Sequence, residues 1–289
     1  MQLQEAGSHE TLRGASEETA VQRPQGFAAA ERAVRQDLAA AYRLVAYFGM
    51  DDSIYTHISA RVPGTTDQFL INPYGMLFRD ITASSLVKID LEGRILDDSP
   101  YDVNPAGFTI HSAIHSARHD AACVLHTHTV AGVAVSSLAS GLRPCNQWAL
   151  QFYNRVVYHD FEGIALDADE KVRLVEDLGP TARVLILRNH GLVTLGRTIP
   201  EAVILMLNLE RACKVQVAIE STNQAVHPVP PEICEKTARQ YDRWGRAQDG
   251  QSGGAGPGAP AANGVDPYLR EWQALLQRIE PLPATSFRD

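Results

Sequence analysis

The amino-acid sequence predicts one α/β domain built in three layers. Segments with the two-residue period of a strand are interspersed with segments that repeat apolar residues at helical spacing. Of the 289 residues, 45% are hydrophobic, which is enough for a sizeable core. No internal repeat divides the chain. We therefore predict a single domain over residues 27–244.

The elements of this domain are predicted from periodicity and from the residues that end each segment. The first helix is Ala-rich and stops at Gly49, whereas Pro200 suits the first turn of the last long helix. The predicted helices cover residues 27–48, 106–119, 129–140, 169–178 and 200–224. The predicted strands cover residues 55–62, 69–72, 86–90, 123–129, 156–158, 183–187 and 192–195.

Three segments flank this domain. Residues 1–26 are polar without an apolar period, which predicts a disordered tail. Residues 245–265 are dominated by Gly, Ala and Pro, which is typical of a flexible linker. In residues 266–289, Tyr268, Trp272 and Ile279 share one face of an amphipathic helix. We expect that helix to dock on the domain or on a neighbouring subunit.

Composition excludes several classes of partner. The net charge is −8 and no basic run is present, so we expect no nucleic-acid partner. No stretch approaches the ~20 apolar residues of a membrane span, and the N-terminus lacks the apolar core of a signal peptide. The four cysteines are scattered and form no C-x-x-C pair, as in reduced thiols. A cytoplasmic protein with a small-molecule substrate is the expectation.

Two histidine motifs indicate a metal site. His126-Thr127-His128 continues an apolar strand, and alternate side chains of a strand point to one face. His190 follows a second apolar strand and precedes Gly191, which permits close backbone approach. If these strands are neighbours, His126, His128 and His190 meet at one metal with an open position, as in catalytic sites. Surface histidines on an edge strand are the alternative.

These motifs make the chain similar to the class II aldolase/adducin family. The resemblance covers about residues 28–225. It depends on the segments 71–75, 124–129 and 185–192, and on Pro200-Glu201-Ala202 at the start of a long helix. It implies an α/β/α sandwich around a mainly antiparallel sheet, often in a homotetramer with active sites between subunits. It also implies one divalent metal per subunit, usually Zn²⁺, held by His126, His128 and His190.

The chain departs from the sugar-phosphate aldolases of this family at two places. Their acid/base glutamate aligns with Gly107, which cannot transfer a proton. Their G-N-x-S phosphate segment aligns with residues 55–59, Tyr-Thr-His-Ile-Ser. We therefore expect a substrate without phosphate.

Three further histidines are candidates for the missing proton-transfer group. His111 and His115 lie one turn apart on a predicted helix, so they share a face. His57 stands where family members usually carry Asn. A histidine is a competent general acid or base near neutral pH. We predict that His111 or His115 transfers the proton. Hydrogen-bonded supporting roles are the alternative for each of the three.

The sequence leaves three functions open. The first is a metal-dependent lyase that cleaves a carbon–carbon bond of an oxo or hydroxy acid, by aldol or decarboxylation chemistry. The second is a non-haem Fe²⁺ oxygenase, because imidazole suits both metals. Some family members of aminocoumarin pathways shorten an aryl-pyruvate side chain in that way. The aromatic residues Phe108, Trp148, Phe152 and Tyr153 are compatible with such a pocket or with the core.

The third function is a non-catalytic, adducin-like oligomeric scaffold.

In this family, the region after the second of the predicted central helices often faces a neighbouring active site. Here it contains Tyr153, Tyr158, His159 and Glu162. We expect them to be substrate contacts at most.

Overall fold

The computed structural model describes residues 28–163, 168–246, 266–280 and 286–289. The predicted N-terminal tail and most of the predicted linker lie outside these ranges. Within them, no helix combines the length and the apolar content that crossing a bilayer requires.

The described residues form one sheet of seven strands. The strands are β1 (His57–Arg61), β2 (Gln68–Ile71), β3 (Val87–Asp90), β4 (Cys123–Thr127), β5 (Val156–His159), β6 (Val184–Leu187) and β7 (Gly191–Gly196). Their order across the sheet is β3-β2-β1-β4-β7-β6-β5. Every neighbouring pair is antiparallel except β5 and β6, which are parallel. The predicted, mainly antiparallel sheet is confirmed.

Helices cover both faces of this sheet. Those in the described residues are α1 (Ala29–Tyr47), α2 (Pro105–Ala117), α3 (Val130–Ser137), α4 (Gln147–Leu150), α5 (Ala168–Leu178), α6 (Ile199–Glu220), α7 (Pro231–Arg246) and α8 (Pro267–Ile279). Helices α1, α3, α6 and α8 share one apolar cluster with alternate strand residues such as Leu125. Helices α2 and α5 share another with the intervening residues, such as Val124. The result is the predicted three-layered sandwich.

Most predicted elements are present with small shifts at their ends. Helix α3 ends at Ser137 rather than near residue 140, and α6 ends at Glu220 rather than 224. Strand β4 stops at Thr127, so His128 lies just beyond the strand. Two helices were not predicted: the short α4, and α7, which follows a Pro-containing segment and carries few apolar residues.

The alternation of β4 determines which face carries the histidine motif. Leu125 packs towards α1 and α6, so His126 points to the opposite face, together with Val124 and the helix α2. His57 of β1 pairs directly with His126 of β4. Both imidazoles therefore stand on the α2 side of the sheet.

Candidate metal centre

The first two histidines of the centre come from the end of β4. His126 is its penultimate residue and is almost fully buried, whereas His128 follows the strand and is about one-fifth exposed. Thr129 caps the next helix, α3, by accepting the Gly132 N–H at 3.1 Å. This cap fixes the point at which the chain turns away from the sheet.

His190 comes from the tight turn between β6 and β7. The turn places Asn189 at a φ of 56°, a left-handed conformation that Asn tolerates. Gly191 then begins β7 beside β4. A Cβ at Gly191 would lie 2.4 Å from the Thr127 carbonyl oxygen, so only glycine allows this approach. The sequence Asn-His-Gly therefore brings His190 against the end of β4.

The three imidazoles converge. The Nε2 atom of His128 lies 2.8 Å from that of His126 and 2.9 Å from that of His190. The candidate ligand atoms of all three residues lie within 4.8 Å of one another. The structure thus brings together the three residues that the sequence predicts as ligands. His128 and His190 are partly exposed, which leaves an open side for a substrate.

The outer nitrogens of two of these rings are already engaged. His126 Nδ1 donates to the Leu192 carbonyl at 3.0 Å, and His128 Nδ1 donates to the Asp52 carboxylate at 3.0 Å. In the neutral form, both Nε2 atoms then carry only a lone pair. Two lone pairs 2.8 Å apart repel each other unless a cation lies between them. The donor set, with its oriented outer partners, fits a divalent metal.

Burial keeps His126 and His190 in the form that binds metal. Burial holds the pKa of His126 well below its usual range. The second cause is the electrostatic repulsion that a protonated His126 would meet from His128, His57 and His190 in their charged forms. Burial and then His128 lower the pKa of His190 to about 4. Both rings are therefore neutral near pH 7, as metal coordination requires.

His57 lies beside the three candidate ligands, in the space next to Gly107 of helix α2. Its ring lies 5.2 Å from the ring of His126, centroid to centroid. A Cβ built on Gly107 of α2 would lie 2.3 Å from His57 Cδ2 and 2.6 Å from its Nε2. The imidazole therefore occupies the space where a side chain at position 107 would begin. Gly107 and His57 are complementary, and a glutamate does not fit there.

A hydrogen-bonded chain runs from His57 away from the centre. His57 Nδ1 lies 2.9 Å from His111 Nε2, and His111 Nδ1 lies 2.5 Å from Ser59 Oγ. Ser59 Oγ also bonds His115 Nε2 at 2.7 Å. Arg61 closes the chain by donating to the His115 carbonyl at 2.7 Å. His111 and His115 share a face, as their spacing predicts, but only His57 adjoins the metal ligands.

The remaining predicted contact residues separate into two groups. His159 and Glu162 line a cleft that also contains His190 and Phe161. The Arg188 guanidinium carbon lies 4.0 Å above the centroid of the Tyr158 ring. The Tyr158 hydroxyl accepts a hydrogen bond from the Leu142 N–H. Tyr158 and Tyr153 are absent from the described lining of this cleft.

The aromatic residues proposed for a pocket lie elsewhere. Phe152 belongs to the core, and Phe108 packs beneath the Lys171 ammonium group. Trp148 is 39% exposed and is not among the described residues that line the cleft. Phe161 does line it, 6.3 Å from the His190 ring. Sequence reasoning missed Phe161 and Asp52, for which a single sequence offers no spacing signal.

Comparison with known proteins matches most of the chain to one family. Residues 36–217 match the family model described as the class II aldolase and adducin N-terminal domain. The chain is 55% identical over 252 residues to a Pseudomonas aeruginosa protein named "Putative aldolase class 2 protein", covering 87% of this chain and 91% of that one. It is 41% identical over 254 residues to rat alpha-adducin, covering 87% of this chain but 34% of the adducin.

Two solved structures share the fold. An aldolase II superfamily protein from Pseudomonas syringae has a TM-score of 0.79 at 46% identity, covering 91% of this chain and 98% of that one. The L-fuculose 1-phosphate aldolase from Glaciozyma antarctica has a TM-score of 0.72 at 28% identity, covering 92% and 97%. Residues 36–217, which the family model matches, contain both histidine motifs and all seven strands of the described sheet. The chain belongs to the class II aldolase and adducin family.

Proposed function

We propose that this protein is a divalent-metal-dependent enzyme that cleaves a carbon–carbon bond of a non-phosphorylated oxo or hydroxy acid. The observation that carries the proposal is the convergence of three Nε2 atoms, two of them with lone pairs that face each other at 2.8 Å. His126, His128 and His190 would hold one metal per subunit, and Zn²⁺ is the ion that we expect first.

A bound divalent cation supplies Lewis acidity, which polarises the carbonyl of an oxo acid. The protein supplies the orientation. The Leu192 carbonyl and the Asp52 carboxylate fix the rings of His126 and His128 through their Nδ1 protons. The partly exposed side of His128 and His190 is the direction from which a substrate enters.

We assign proton transfer to His57. It is the imidazole nearest to the ligands, and its ring fills the position from which the aldolase glutamate would extend. His111 and His115 act through it, because the hydrogen bonds through Ser59 hold the His57 ring in one orientation. General acid–base transfer by a positioned imidazole typically contributes about 10²–10⁴-fold in rate.

The proposed step balances as a retro-aldol reaction. In a 4-hydroxy-2-oxo acid, the C4 hydroxyl loses its proton and the C3–C4 bond breaks. C3 gains a proton, and the products are a 2-oxo acid and an aldehyde. His57 accepts the hydroxyl proton or returns one to C3.

The surroundings of Ser59 support a substrate without phosphate. Ser59 is fully buried, and its hydroxyl bonds His111 and His115. Thr56, in the same segment, is also fully buried. Residues 55–59 therefore offer no exposed serine or threonine hydroxyl of the kind that cradles a phosphate.

Two other functions have specific support. Imidazole ligands also suit Fe²⁺, which favours an oxygenase that cleaves an aryl-pyruvate side chain. The 41% identity to rat alpha-adducin over 87% of this chain favours an oligomeric scaffold without catalysis. In each case we expect a homotetramer, as is common in this family, and light scattering after size exclusion measures it.

The first experiment is elemental analysis of protein purified anaerobically. The blank is the triple variant His126→Ala, His128→Ala and His190→Ala, and the matched control is His119→Ala, which removes an exposed histidine. We expect one zinc per chain in the wild type and in the control. Stoichiometric iron would move the assignment to the oxygenase. Metal no higher than in the blank would refute a metal enzyme and favour the scaffold.

The second experiment measures cleavage of 4-hydroxy-2-oxobutanoate. Pyruvate release is followed by coupling to lactate dehydrogenase, with the metal content of each sample known. We expect His57→Ala to lower kcat by about 10²-fold or more with metal content unchanged. Full activity of His57→Ala would exclude it as the proton-transfer group. No turnover of this or other 2-oxo acids by the metal-loaded wild type would overturn the lyase assignment.

A further inference from the structure

His190 differs from the other two candidate ligands in the surroundings of its outer nitrogen. The His126 Nδ1 atom bonds the Leu192 carbonyl at 3.0 Å. The His128 Nδ1 atom bonds the Asp52 carboxylate, also at 3.0 Å. Within the described residues, the only polar contact of the His190 ring joins its Nε2 to that of His128, at 2.9 Å. A metal-bound histidine almost always donates its second N–H to a carboxylate, a carbonyl or a water. The centre therefore calls for one more outer partner.

His159, at the end of β5, has a ring nitrogen that also needs a partner. Its side chain is 4% exposed, and its Nδ1 lies 2.7 Å from the Asp177 carboxylate of α5. Its Nε2 atom is buried and bonds no other atom in the part of the chain that the structure describes. Buried polar atoms are nearly always hydrogen-bonded, either to the protein or to an ordered water.

One narrow cleft joins the two histidines. His159 pairs with Leu187, three residues before His190, and both histidines line the cleft. The cavity volume is about 10 Å³, which is about the least that one water molecule requires. Because His190 Nε2 faces His128, Nδ1 is the polar ring atom that His190 can present to the cleft. The cleft therefore has room for a water between the two outer nitrogens.

A water at this point has enough hydrogen-bond partners to be held. The nearest oxygen of Glu162 lies 4.0 Å from His159 Nε2, which is too far for a direct hydrogen bond but is a gap that one water spans. That oxygen accepts from Arg173 Nε at 2.7 Å, and a carboxylate oxygen has a second lone pair. Glu162, His159 and His190 together supply three partners, the number that a buried water typically has.

A water fits this cleft whichever protonation state His159 has. A neutral His159 that donates from Nδ1 to Asp177 accepts a hydrogen of the water at Nε2. A protonated His159 instead donates from Nε2 to the water oxygen. In both cases the water oxygen keeps a lone pair for the Nδ1 proton of His190, which that ring carries when Nε2 binds a metal.

We propose that His159 is a positioning residue of the metal centre, which holds the ring of His190 through one bridging water, and that Asp177 orients His159. The inference rests on the metal binding of the proposed function but requires no particular reaction. His159 bonds neither the metal nor the substrate in this arrangement, and it acts only through His190. An imidazole that merely ties β5 to α5 is the competing explanation.

The test separates the two nitrogens of His159. His159→Asn keeps an amide near the Nδ1 position, and with it the contact to Asp177, but removes Nε2. His159→Gln places an amide near the Nε2 position and gives up that contact. Chelator competition measures the zinc affinity of each full-length protein, and urea unfolding of the metal-free proteins measures stability. We expect His159→Asn to weaken zinc binding by about tenfold, whereas His159→Gln stays within about threefold of the wild type.

The tie between β5 and α5 predicts the opposite order. In that case His159→Gln is the less stable variant, and His159→Asn binds zinc as the wild type does. Wild-type affinity in His159→Asn, or an equal loss in the two variants, would overturn the role of His159 alone. A wild type that binds no zinc would refute the metal centre together with this role. His119→Asn, at an exposed position, is the control and should change neither quantity.

A high-resolution crystal structure of the zinc-loaded wild type tests the same inference without relying on a variant that folds. We expect one ordered water within about 3.2 Å of both His159 Nε2 and His190 Nδ1. A His190 Nδ1 atom that bonds a protein group instead, or a cleft without an ordered water, would overturn the proposal even if zinc is present.

Discussion

The contact between Gly107 and His57 gives the sharpest prediction for stability. A Cβ at position 107 would lie 2.3 Å from His57 Cδ2 and 2.8 Å from Cγ. Non-bonded carbon atoms prefer about 3.5–4.0 Å. The ring has little room to move, because it is 3% exposed and its Nδ1 bonds His111 at 2.9 Å. Gly107→Ala therefore displaces the ring and strains that bond.

The expected magnitude follows from two opposing terms. Overpacking of a buried site costs about 1–3 kcal/mol. Alanine gains up to about 1 kcal/mol over glycine within a helix, and position 107 lies in the first turn of α2. Gly107→Ala should thus destabilise the wild type by about 0–2 kcal/mol. In a His57→Ala background the space is open, and the same change should stabilise. The coupling energy between the two positions is then about 1–3 kcal/mol.

Urea unfolding followed by circular dichroism measures this cycle on the four metal-free proteins. Ser116→Ala, an exposed change on α2, is the control and should be additive with His57→Ala. A coupling below about 0.5 kcal/mol between positions 107 and 57 would refute the reasoning. In that case the ring has another place to go, and the missing glutamate needs another explanation.

Three further changes have defined outcomes. Asp52→Asn weakens the outer hydrogen bond of a metal ligand and should lower metal affinity by about 10–100-fold, as measured by chelator competition; unchanged affinity would contradict it. Burial lowers the pKa of His115 to about 3, so the unfolded chain binds a proton below pH 6.5 while the folded chain does not. The contribution of His115 to the free energy of unfolding is therefore complete above pH 6.5 and is lost as the pH falls. In urea unfolding between pH 6 and 4, His115→Gln should reduce the dependence of that free energy on pH by about 1.4 kcal/mol per pH unit. An unchanged dependence would show that His115 protonates in the folded protein. Thr129→Ala removes a helix cap and a hydroxyl donated to buried Glu210, so unfolding should be easier by about 2 kcal/mol, and a loss below 0.5 kcal/mol would contradict this account.

Local patterns predicted the framework well. The alternation in Cys123–Thr127 and the apolar run before Asn189 each identify a strand, and the turn Asn189-His190-Gly191 marks where the second strand ends. Helix α8 begins and ends where its apolar face predicts. In each case, the signal is contained in the segment itself.

Contacts between distant segments were not predictable in the same way. The fit of His57 against Gly107 joins a strand to a helix 50 positions later. The sequence shows Gly107 only as a missing glutamate. Likewise, His159 and Asp177 are 18 residues apart and form a pair only because α5 returns along β5. Helix α7 was not predicted because it contains few apolar residues, so the sequence shows little apolar repetition at helical spacing. Pro231 and Glu232 are nevertheless typical of a helix start.

The separation of the ligands along the chain has a consequence for folding. His128 and His190 are 62 positions apart, and they meet only after β4 and β7 have paired. Pairing of such distant segments is slow compared with local helix formation. The metal therefore enters a chain whose sheet is already assembled, unlike a zinc finger, in which the ion drives folding. We expect refolding at the same rate with and without a chelator, and capture of the ion as the last event on the pathway.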